Sequence, residues 1–148
     1  MWSTKNVFSA WFKNVMNQLQ MSLCIFFMQM LYQLIAQDNI DWRTNAGGTV
    51  SSGTGPSGGF GGSGRYLYLE ASGNCEGQSA VLLSPCIDLS GTQAPELSFA
   101  YHMLGPSTGS LSVELFDGTV WTPLFSKTGN QSASWLVETI DLSGFIGD

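Results

Sequence analysis

The sequence predicts an all-β protein, an antiparallel β-sandwich preceded by an N-terminal apolar helix. Beyond residue 65, apolar and polar residues alternate over several short runs, as they do on strands that bury one face. Turn-forming residues separate these runs roughly every 8–12 residues, which favours a sandwich or barrel over a sheet with helical crossovers. Before residue 37, the spacing of the apolar residues is helical instead.

The N-terminal segment, residues 1–37, differs in composition from the rest of the chain. It has no charged residue from position 14 to position 37. Its apolar residues recur at the i, i+3, i+4 spacing of a helix, and those residues are Val7, Phe8, Trp11, Phe12, Val15, Met16 and Leu19. We therefore divide the chain into an apolar helical segment over 1–37 and a sandwich domain over 38–148.

Three interpretations of residues 1–37 remain open. An export signal cut after Ala36 fits the apolar run, although Leu34 is a poor residue for position −3, the third residue before the cut. An uncleaved membrane anchor fits its length, because a span needs about 20 apolar residues, and polar residues along one face favour a helix lying in the membrane interface. Both variants predict membrane association through residues 14–37. The third interpretation is a helix that only packs on the domain, or residues that are not native to it.

The body of the chain is predicted to form short strands linked by loops. Residues 45–64 hold nine of the 18 glycines, a composition typical of a loop. Alternating or short apolar runs predict strands over residues 66–71, 80–83, 96–103, 110–115, 120–121 and 135–140. Within the strand over 96–103, the residues expected to share one face are Leu97, Phe99, Tyr101 and Met103. Asp117-Gly118 predicts a hairpin turn before the strand at 120–121.

The charge of the chain argues against nucleic-acid binding. The formal net charge is −6 at pH 7. Residues 1–37 carry two lysines and no acid, whereas residues 38–148 carry 11 acids and three cations. An acidic domain with three cations cannot neutralise a phosphate backbone. We attribute the acidity to solubility, with cation binding as a lesser alternative.

The three cysteines leave the disulfide pattern open. Cys24 lies in the apolar N-terminal run, where it is expected to behave as a small hydrophobic residue. Cys75 and Cys86 are candidates for a disulfide if the domain is exported. If residues 66–71 and 79–85 form a hairpin, however, Cys75 lies at its tip and Cys86 beyond its far end. Pairing then requires the loop to fold back, because bridged Cα atoms lie within about 7 Å of each other.

The sequence matches two catalytic or cofactor signatures, but neither has the structural context that its chemistry needs. Residues 55–59 match the G-x-S-x-G pattern with Ser57 as the candidate nucleophile, yet no helix is predicted after them. The glycines of residues 53–58 match a dinucleotide fingerprint that neither follows a strand nor begins a helix. His102, the single histidine, has no partners at metal-ligand or catalytic spacing and is predicted to be a structural strand residue. We therefore expect no enzymatic activity and no cofactor.

Short motifs spread over about 100 residues occur in an order that resembles one known family. They are Asp41-Trp42, Gly55-Pro56, Tyr66 with Tyr68, Leu83-Ser84-Pro85, Phe99, Tyr101-His102-Met103, Gly105, Trp121 and Trp135. Together they resemble the MAM family of extracellular modules, and most closely its forms in secreted bacterial surface proteins. The resemblance implies a jelly-roll sandwich, an extracellular or cell-surface location and a role in adhesion or recognition, with no catalytic activity.

The sequence departs from the family pattern at three places. Residues 57–60 lack the acidic residue that usually follows the Thr-Gly-Pro turn, which weakens the expectation of a calcium or sodium site. Residues 15–37 stand in place of the usual opening strand, and the chain stops at Asp148, before the usual final strands. We therefore expect a domain truncated at both ends and marginal in stability, because lost strands expose apolar edges and faces.

The predicted function is a non-catalytic adhesion or recognition module of a larger secreted or surface protein. Its expected partner is a cell-surface or matrix protein, or a glycan, contacted through loops and one sheet face. The alternative is a carbohydrate-binding accessory domain of a secreted hydrolase or peptidase, in which Trp121 and Trp135 are candidates for stacking on sugar rings. Asn130-Gln131-Ser132 is an N-glycosylation sequon, which matters only in a eukaryotic secretory pathway.

Overall fold

The computed structural model describes residues 7–10 and 39–146, and for these residues it confirms the all-β class. The strands of the described chain are β1 (Val7–Ala10), β2 (Arg43–Asn45), β3 (Tyr66–Tyr68), β4 (Glu96–His102), β5 (Ser110–Phe116), β6 (Trp121–Thr128) and β7 (Leu136–Asp141). Short 3₁₀ turns occur at Phe60–Gly62, Gly73–Cys75 and Ser143–Phe145. Neither described range contains an α-helix.

The strands form two antiparallel sheets that face each other. The larger sheet has the order β2-β3-β1-β4-β7, and the smaller sheet is the β5-β6 hairpin. β4 lies inside the larger sheet, with β1 paired along one edge and β7 along the other. Because β4 is paired along both edges, it is an interior strand of the larger sheet.

The core lies between the two sheets. Alternate residues of β4 point towards the hairpin, as the sequence pattern predicts. The Phe99 ring lies 5.2 Å from the Phe125 ring of β6, and the Tyr101 ring lies 5.3 Å from it, both with edge-on geometry. The buried residues of this cluster are Phe99, Tyr101, Met103 and Leu111, with Leu97, Val113, Phe125, Leu136 and Ile140 packed around them. Each large apolar side chain that is fully buried here contributes about 1.5–3 kcal/mol to folding.

The β5-β6 hairpin confirms the turn predicted at Asp117-Gly118. The Asp117 carboxylate accepts hydrogen bonds from the backbone N–H groups of Thr119 at 2.7 Å and Val120 at 2.9 Å. An aspartate that bonds the backbone two and three residues ahead closes a turn in place of a main-chain carbonyl. The turn thereby places Phe116 opposite Trp121 in the register of the two strands.

The hairpin contains one irregularity, at Pro123. The register moves from Phe125, opposite Val113, to Pro123, opposite Glu114. Proline has no backbone N–H to give to the ladder, and within sheets it is confined to edges and bulges. The bulge therefore accommodates a proline within a strand that otherwise continues to Thr128.

The structure corrects several of the predicted elements. The helix expected over residues 1–37 is wrong at Val7–Ala10, which form β1 and pair with β3 and β4. The rest of that segment lies outside the described residues, and the division at residue 37 stays a prediction. No strand forms over 80–83. Val81 and Leu82 are exposed, so this short run before Pro85 buries no apolar face. Strand β2 was not predicted, because Arg43–Asn45 has no alternating pattern.

The candidate disulfide between Cys75 and Cys86 does not form. Cys75 has a free thiol, whereas Cys86 is disulfide-bonded. Cys75 ends a 3₁₀ turn at Gly73–Cys75, and no hairpin brings it back towards residue 86. The hairpin on which the geometric objection rested does not form either, because residues 79–85 contain no strand.

The predicted membrane association rests on residues 14–37, which lie outside the described residues. Within the part of the chain that the structure describes, no helix is long and apolar enough to cross a membrane.

Candidate functional site

The two candidate stacking residues, Trp121 and Trp135, lie in different environments. Trp135 packs on the face of the larger sheet that points away from the hairpin. Its ring makes edge-on contacts with Tyr66 at 5.8 Å, His102 at 5.7 Å and Phe60 at 6.1 Å. Its indole N–H donates to the carbonyl oxygen of Gly58 at 3.1 Å. Trp135 therefore belongs to a second packed cluster, on the outer side of β3 and β4.

The glycine-rich loop, residues 46–64, covers this second cluster. The Tyr66 hydroxyl donates to the Gly47 carbonyl at one end of the loop, and Trp135 bonds Gly58 nearer the other end. The loop also bonds the chain after β4, because the Gly55 N–H donates to the Leu104 carbonyl at 3.3 Å. We call the loop and the side chains beneath it the covered layer. Its members, besides residues 46–64, are Tyr66, Tyr68, His102 and Trp135.

Two glycines of the loop are required by close packing. A Cβ atom at Gly59 would lie 2.2 Å from the Ser63 carbonyl oxygen, and one at Gly55 would lie 2.5 Å from the Thr49 hydroxyl. Real Cβ atoms do not approach other heavy atoms this closely, so no other residue fits at Gly59 without moving backbone. The glycine content predicted a loop, and the structure shows a loop folded tightly on itself and on the sheet.

Glu70 ties the loop to the segment after β3. Its Oε1 atom accepts hydrogen bonds from the Ser51 hydroxyl at 2.9 Å, the Ser72 hydroxyl at 2.5 Å and the Ser72 N–H at 3.2 Å. A carboxylate that accepts several hydrogen bonds holds its donors more strongly than a neutral acceptor does. The acidic residues were expected to serve solubility, and serine spacing alone gave no signal for this contact of Glu70.

His102 is a structural residue of the covered layer. It is 1% exposed, and its Nε2 atom lies 3.1 Å from the Ala133 carbonyl oxygen. Because a carbonyl oxygen only accepts, Nε2 carries the proton. Burial lowers the pKa of His102 below its usual value, and the bond to Ala133 opposes that effect. A neutral imidazole beneath a packed loop has no access to a substrate, in agreement with the predicted structural role.

Trp121 lies at the other end of the hairpin from the covered layer. Its ring centroid is 5.0 Å from that of Phe116, and the two planes are tilted by 30°. Strand alternation on β5 places Phe116 and Glu114 on the face opposite Leu111 and Val113, away from the core. Val120, beside Trp121, is 55% exposed. We call Phe116, Asp117, Val120 and Trp121 the hairpin tip.

The hairpin tip joins apolar surface to a fixed negative charge. Hydrogen bonds from the Val120 backbone, and then from Thr119, lower the pKa of Asp117 below its usual value. All three donors bond Oδ1, so Oδ2 is left to face solvent at the tip. The Trp121 indole N–H makes no hydrogen bond to any residue in the described ranges, in contrast to that of Trp135. The tip therefore offers an aromatic edge, an indole donor and a carboxylate together.

Hydroxyl groups line the outward side of the strands beyond the tip. Ser110 and Thr128 lie 2.8 Å apart across the hairpin, and Ser112 and Ser126 lie 3.3 Å apart. Such cross-strand hydroxyl pairs stabilise a sheet face that stays in water. The polar ladder separates the aromatic tip from the loops at the far end of the hairpin.

The residues suspected of chemistry are not assembled into a site. Ser57 is exposed in the glycine-rich loop, and no strand-to-helix turn presents it. Among the described residues no group of three or more histidine, cysteine, aspartate or glutamate side chains is placed to hold a metal ion. Residues 57–60 contribute no carboxylate, so this part of the loop lacks the acidic ligand that the family pattern implies.

The motif residues behind the family resemblance are mostly buried. Those that the structure buries are Pro56, Tyr66, Tyr68, Phe99, Tyr101, His102, Met103 and Gly105. Trp42 and Gly55 are half-buried, and Pro85 is exposed. Their burial indicates that these motif residues stabilise the packing on the two faces of the larger sheet rather than form a ligand site. The sequence analysis did not name Phe116 as a candidate site residue. The predicted turn at Asp117-Gly118 places it opposite Trp121, and this pairing could have identified it.

Comparison with known proteins identifies the family. The model of the MAM domain, described as meprin/A5/mu, matches residues 20–147. The chain belongs to the MAM family. The match spans most of the chain and begins within the segment that was predicted to precede the domain, at residue 20. No solved structure matches the chain.

Individual relatives of this MAM domain are animal proteins. It is 42% identical over 106 residues to human MAM domain-containing protein 2, which covers 69% of this chain and 15% of the relative. It is 39% identical over 93 residues to neuropilin-1 of Xenopus laevis, which covers 58% of this chain and 10% of the relative. Thyroid hormone-induced protein B of Xenopus laevis is 40% identical over 100 residues, 64% of this chain and 14% of the relative.

The MAM domain thus spans only a small part of these curated relatives. The comparisons support the predicted family but neither its bacterial-type form nor the predicted truncation at both ends. The functions of these relatives belong to much longer chains. A function for this domain is therefore proposed from its own surface.

Proposed function

We propose that this MAM domain is a non-catalytic recognition module of an extracellular or cell-surface protein, and that it contacts its partner through the hairpin tip. The family membership supports the location and the adhesive role. The observation that supports the site is the environment of Trp121, which pairs with Phe116 on the outward face beside an exposed Val120. Tryptophan, tyrosine and arginine are the residues that most often dominate binding energy at protein interfaces.

The polar groups of the tip indicate the chemistry of the partner. Asp117 stays ionised, because its turn lowers its pKa, and the exposed Glu114 lies on the same face two residues from Phe116. Charges at the rim of an interface steer association and select partners of opposite charge. The partner we propose is a cell-surface or matrix protein that presents a lysine or arginine beside an apolar surface.

A glycan is the second candidate partner. The aromatic pair at the tip supports it, because a half-buried ring whose indole N–H is not bonded within the described residues suits stacking on a sugar with hydrogen bonds at its edge. Trp135 does not support it, since its ring and its N–H are both occupied within the covered layer. In this alternative the domain is a carbohydrate-binding accessory of a secreted hydrolase or peptidase.

The test compares two valines of equal exposure. Val120 is 55% exposed at the tip, and Val137 is 56% exposed on β7. The chain, coupled to fluorescent beads, is bound to extracellular matrix laid down by cultured animal cells. We expect Val120→Ala and Trp121→Ala to weaken bead binding by about tenfold, and Val137→Ala to leave it unchanged.

Treating the matrix distinguishes the two partners. Protease treatment of the matrix is expected to abolish binding, whereas glycosidase treatment abolishes it if the partner is a glycan. Equal binding by the Val120→Ala, Trp121→Ala and Val137→Ala variants would show that the tip is not the contact surface. Circular dichroism of each variant establishes that the fold is retained.

A further inference from the structure

The sequon at Asn130-Gln131-Ser132 is the only N-x-Ser/Thr sequence in the chain. It lies in the segment between β6, which ends at Thr128, and β7, which begins at Leu136. An acceptor sequon requires a residue other than proline between the asparagine and the hydroxyl residue, and Gln131 satisfies this. The motif has no role in the recognition surface described above.

The loop holds the sequon in one conformation through its backbone. The Gln131 N–H donates to the Met103 carbonyl at 2.8 Å, directly after β4. The Gln131 side-chain amide donates back to the Thr128 carbonyl at 2.9 Å. The Ser132 hydroxyl accepts a hydrogen bond from the Ser134 N–H at 2.9 Å. The sequon is therefore fixed on the surface of the folded domain by groups other than the asparagine nitrogen.

The orientation of the Asn130 amide suits modification. Asn130 is exposed, and its Oδ1 atom accepts a hydrogen bond from the Gly105 N–H at 3.2 Å. This bond fixes which way the amide points. No residue of the described ranges bonds Nδ2, which is left towards solvent. A glycosylated asparagine keeps its carbonyl oxygen, so the bond to Gly105 survives modification while the attached sugar extends outward.

We propose that Asn130 is an N-glycosylation site, which rests on the extracellular location proposed above. The donor is an oligosaccharide linked to a lipid pyrophosphate. Nδ2 forms a bond to the anomeric carbon of the first sugar, the bond from that carbon to the pyrophosphate oxygen breaks, and the lipid pyrophosphate leaves. One of the two amide protons is released in the step. No oxidant or reductant takes part.

The site places the glycan away from the hairpin tip. Asn130 follows the C-terminal end of β6, and Trp121 begins the same strand. Eight strand residues span roughly 23 Å, so the two lie at opposite ends of the hairpin. The glycan lies instead at the opposite end of the hairpin, beside the Gly105 segment that Asn130 bonds. The attached sugar thus shields this end of the domain and leaves the proposed contact surface open.

The experiment uses the full chain behind an added export signal, secreted from cultured animal cells, with a second sequon placed in the linker as an internal control. Mobility before and after treatment with an amidase that removes N-glycans reports the number of glycans. Mass spectrometry after that treatment reports conversion of Asn130 to aspartate. We expect two glycans on the parent chain and on Ser132→Thr, and one on Asn130→Gln and Ser132→Ala.

The two variants that destroy the sequon change different contacts. Asn130→Gln disturbs the bond to Gly105, whereas Ser132→Ala keeps it, so a folding effect of one is not shared by the other. A secreted chain whose linker is modified while Asn130 is not overturns the proposal. Failure of the recognition site would appear instead as equal bead binding by the Val120→Ala and Val137→Ala variants, which leaves the glycan count unaffected.

Discussion

Trp135 and Trp121 are both tryptophans, but they lie in different environments. Trp135 lies under the glycine-rich loop, contacts Tyr66, Phe60 and His102, and donates its N–H to Gly58. Trp121 lies at the end of the hairpin, contacts Phe116, and makes no hydrogen bond within the described residues. The comparison shows that, within the described residues, the two tryptophans differ in whether the chain accepts a hydrogen bond from the indole N–H. A satisfied tryptophan stabilises the fold, and an unsatisfied one is available to a partner.

Truncating each tryptophan should separate the two roles most clearly. We expect Trp135→Ala to lower the free energy of unfolding by about 3 kcal/mol, because it removes the centre of a packed cluster, and Trp121→Ala to lower it by about 1 kcal/mol. Urea denaturation followed by circular dichroism measures both. Trp135→Phe keeps a ring and loses the bond to Gly58, for which about 1 kcal/mol is expected. Equal losses for Trp135→Ala and Trp121→Ala would contradict the distinction.

Adjacent glycines test whether the loop over Trp135 is a fitted cover. At Gly59 an added Cβ lies 2.2 Å from a backbone oxygen, whereas at Gly58 the nearest atom is 3.8 Å away. We expect Gly59→Ala to destabilise the domain by about 2 kcal/mol and Gly58→Ala to stay within about 0.5 kcal/mol of the parent. Thermal unfolding of the pair measures the difference. A tolerated Gly59→Ala would show that the loop can move off the sheet.

The two regions should also differ in their response to pH. Burial lowers the pKa of His102, so the unfolded chain takes up a proton near its usual pKa of about 6.5 before the folded chain does. The contribution of neutral His102 to the free energy of unfolding is complete above that pH and is lost as the pH falls through the pKa of the folded state. The lowered pKa of Asp117 acts in a separate window, since its stabilisation is lost only as the pH falls below about 3.9.

Unfolding measured between pH 7.5 and 5 tests this prediction. His102→Gln keeps a donor for the Ala133 carbonyl and removes the titration, so its stability is expected to stay flat across the range. If that variant does not fold, proton NMR of the single histidine in the parent chain gives its pKa directly. A pKa at or above the usual value would contradict the buried, neutral state of His102.

Much of the framework could be predicted from local patterns. The alternation along β4 predicted which face Phe99, Tyr101 and Met103 present to the hairpin, and the core cluster confirms it. Asp117-Gly118 predicted the turn of the hairpin, because that pair favours a tight connection between strands. These features depend on residues that are close in sequence, so the local sequence pattern is enough to predict them.

The errors arose where the pattern was short or the partner was remote. Val7–Ala10 has apolar residues at a helical spacing, yet these residues pair between β3 and β4, and tertiary pairing overrode the local preference. Ala80–Leu83 is apolar but forms no strand. The sequence left the pairing of Cys75 with Cys86 open, and the fold leaves Cys75 as a free thiol.

By itself the sequence determined the all-β class, the faces of the long strands, the hairpin turn and the family, since each depends on residue types at fixed short spacings. Only the tertiary structure decided the fates of Trp121 and Trp135. The bond from Trp135 to Gly58 joins residues 77 positions apart, and whether a loop reaches a side chain over that separation depends on how the sheets stack. The same stacking left Trp121 at the end of a hairpin beside the Phe116 ring, which is why we place it, and not Trp135, on the proposed contact surface.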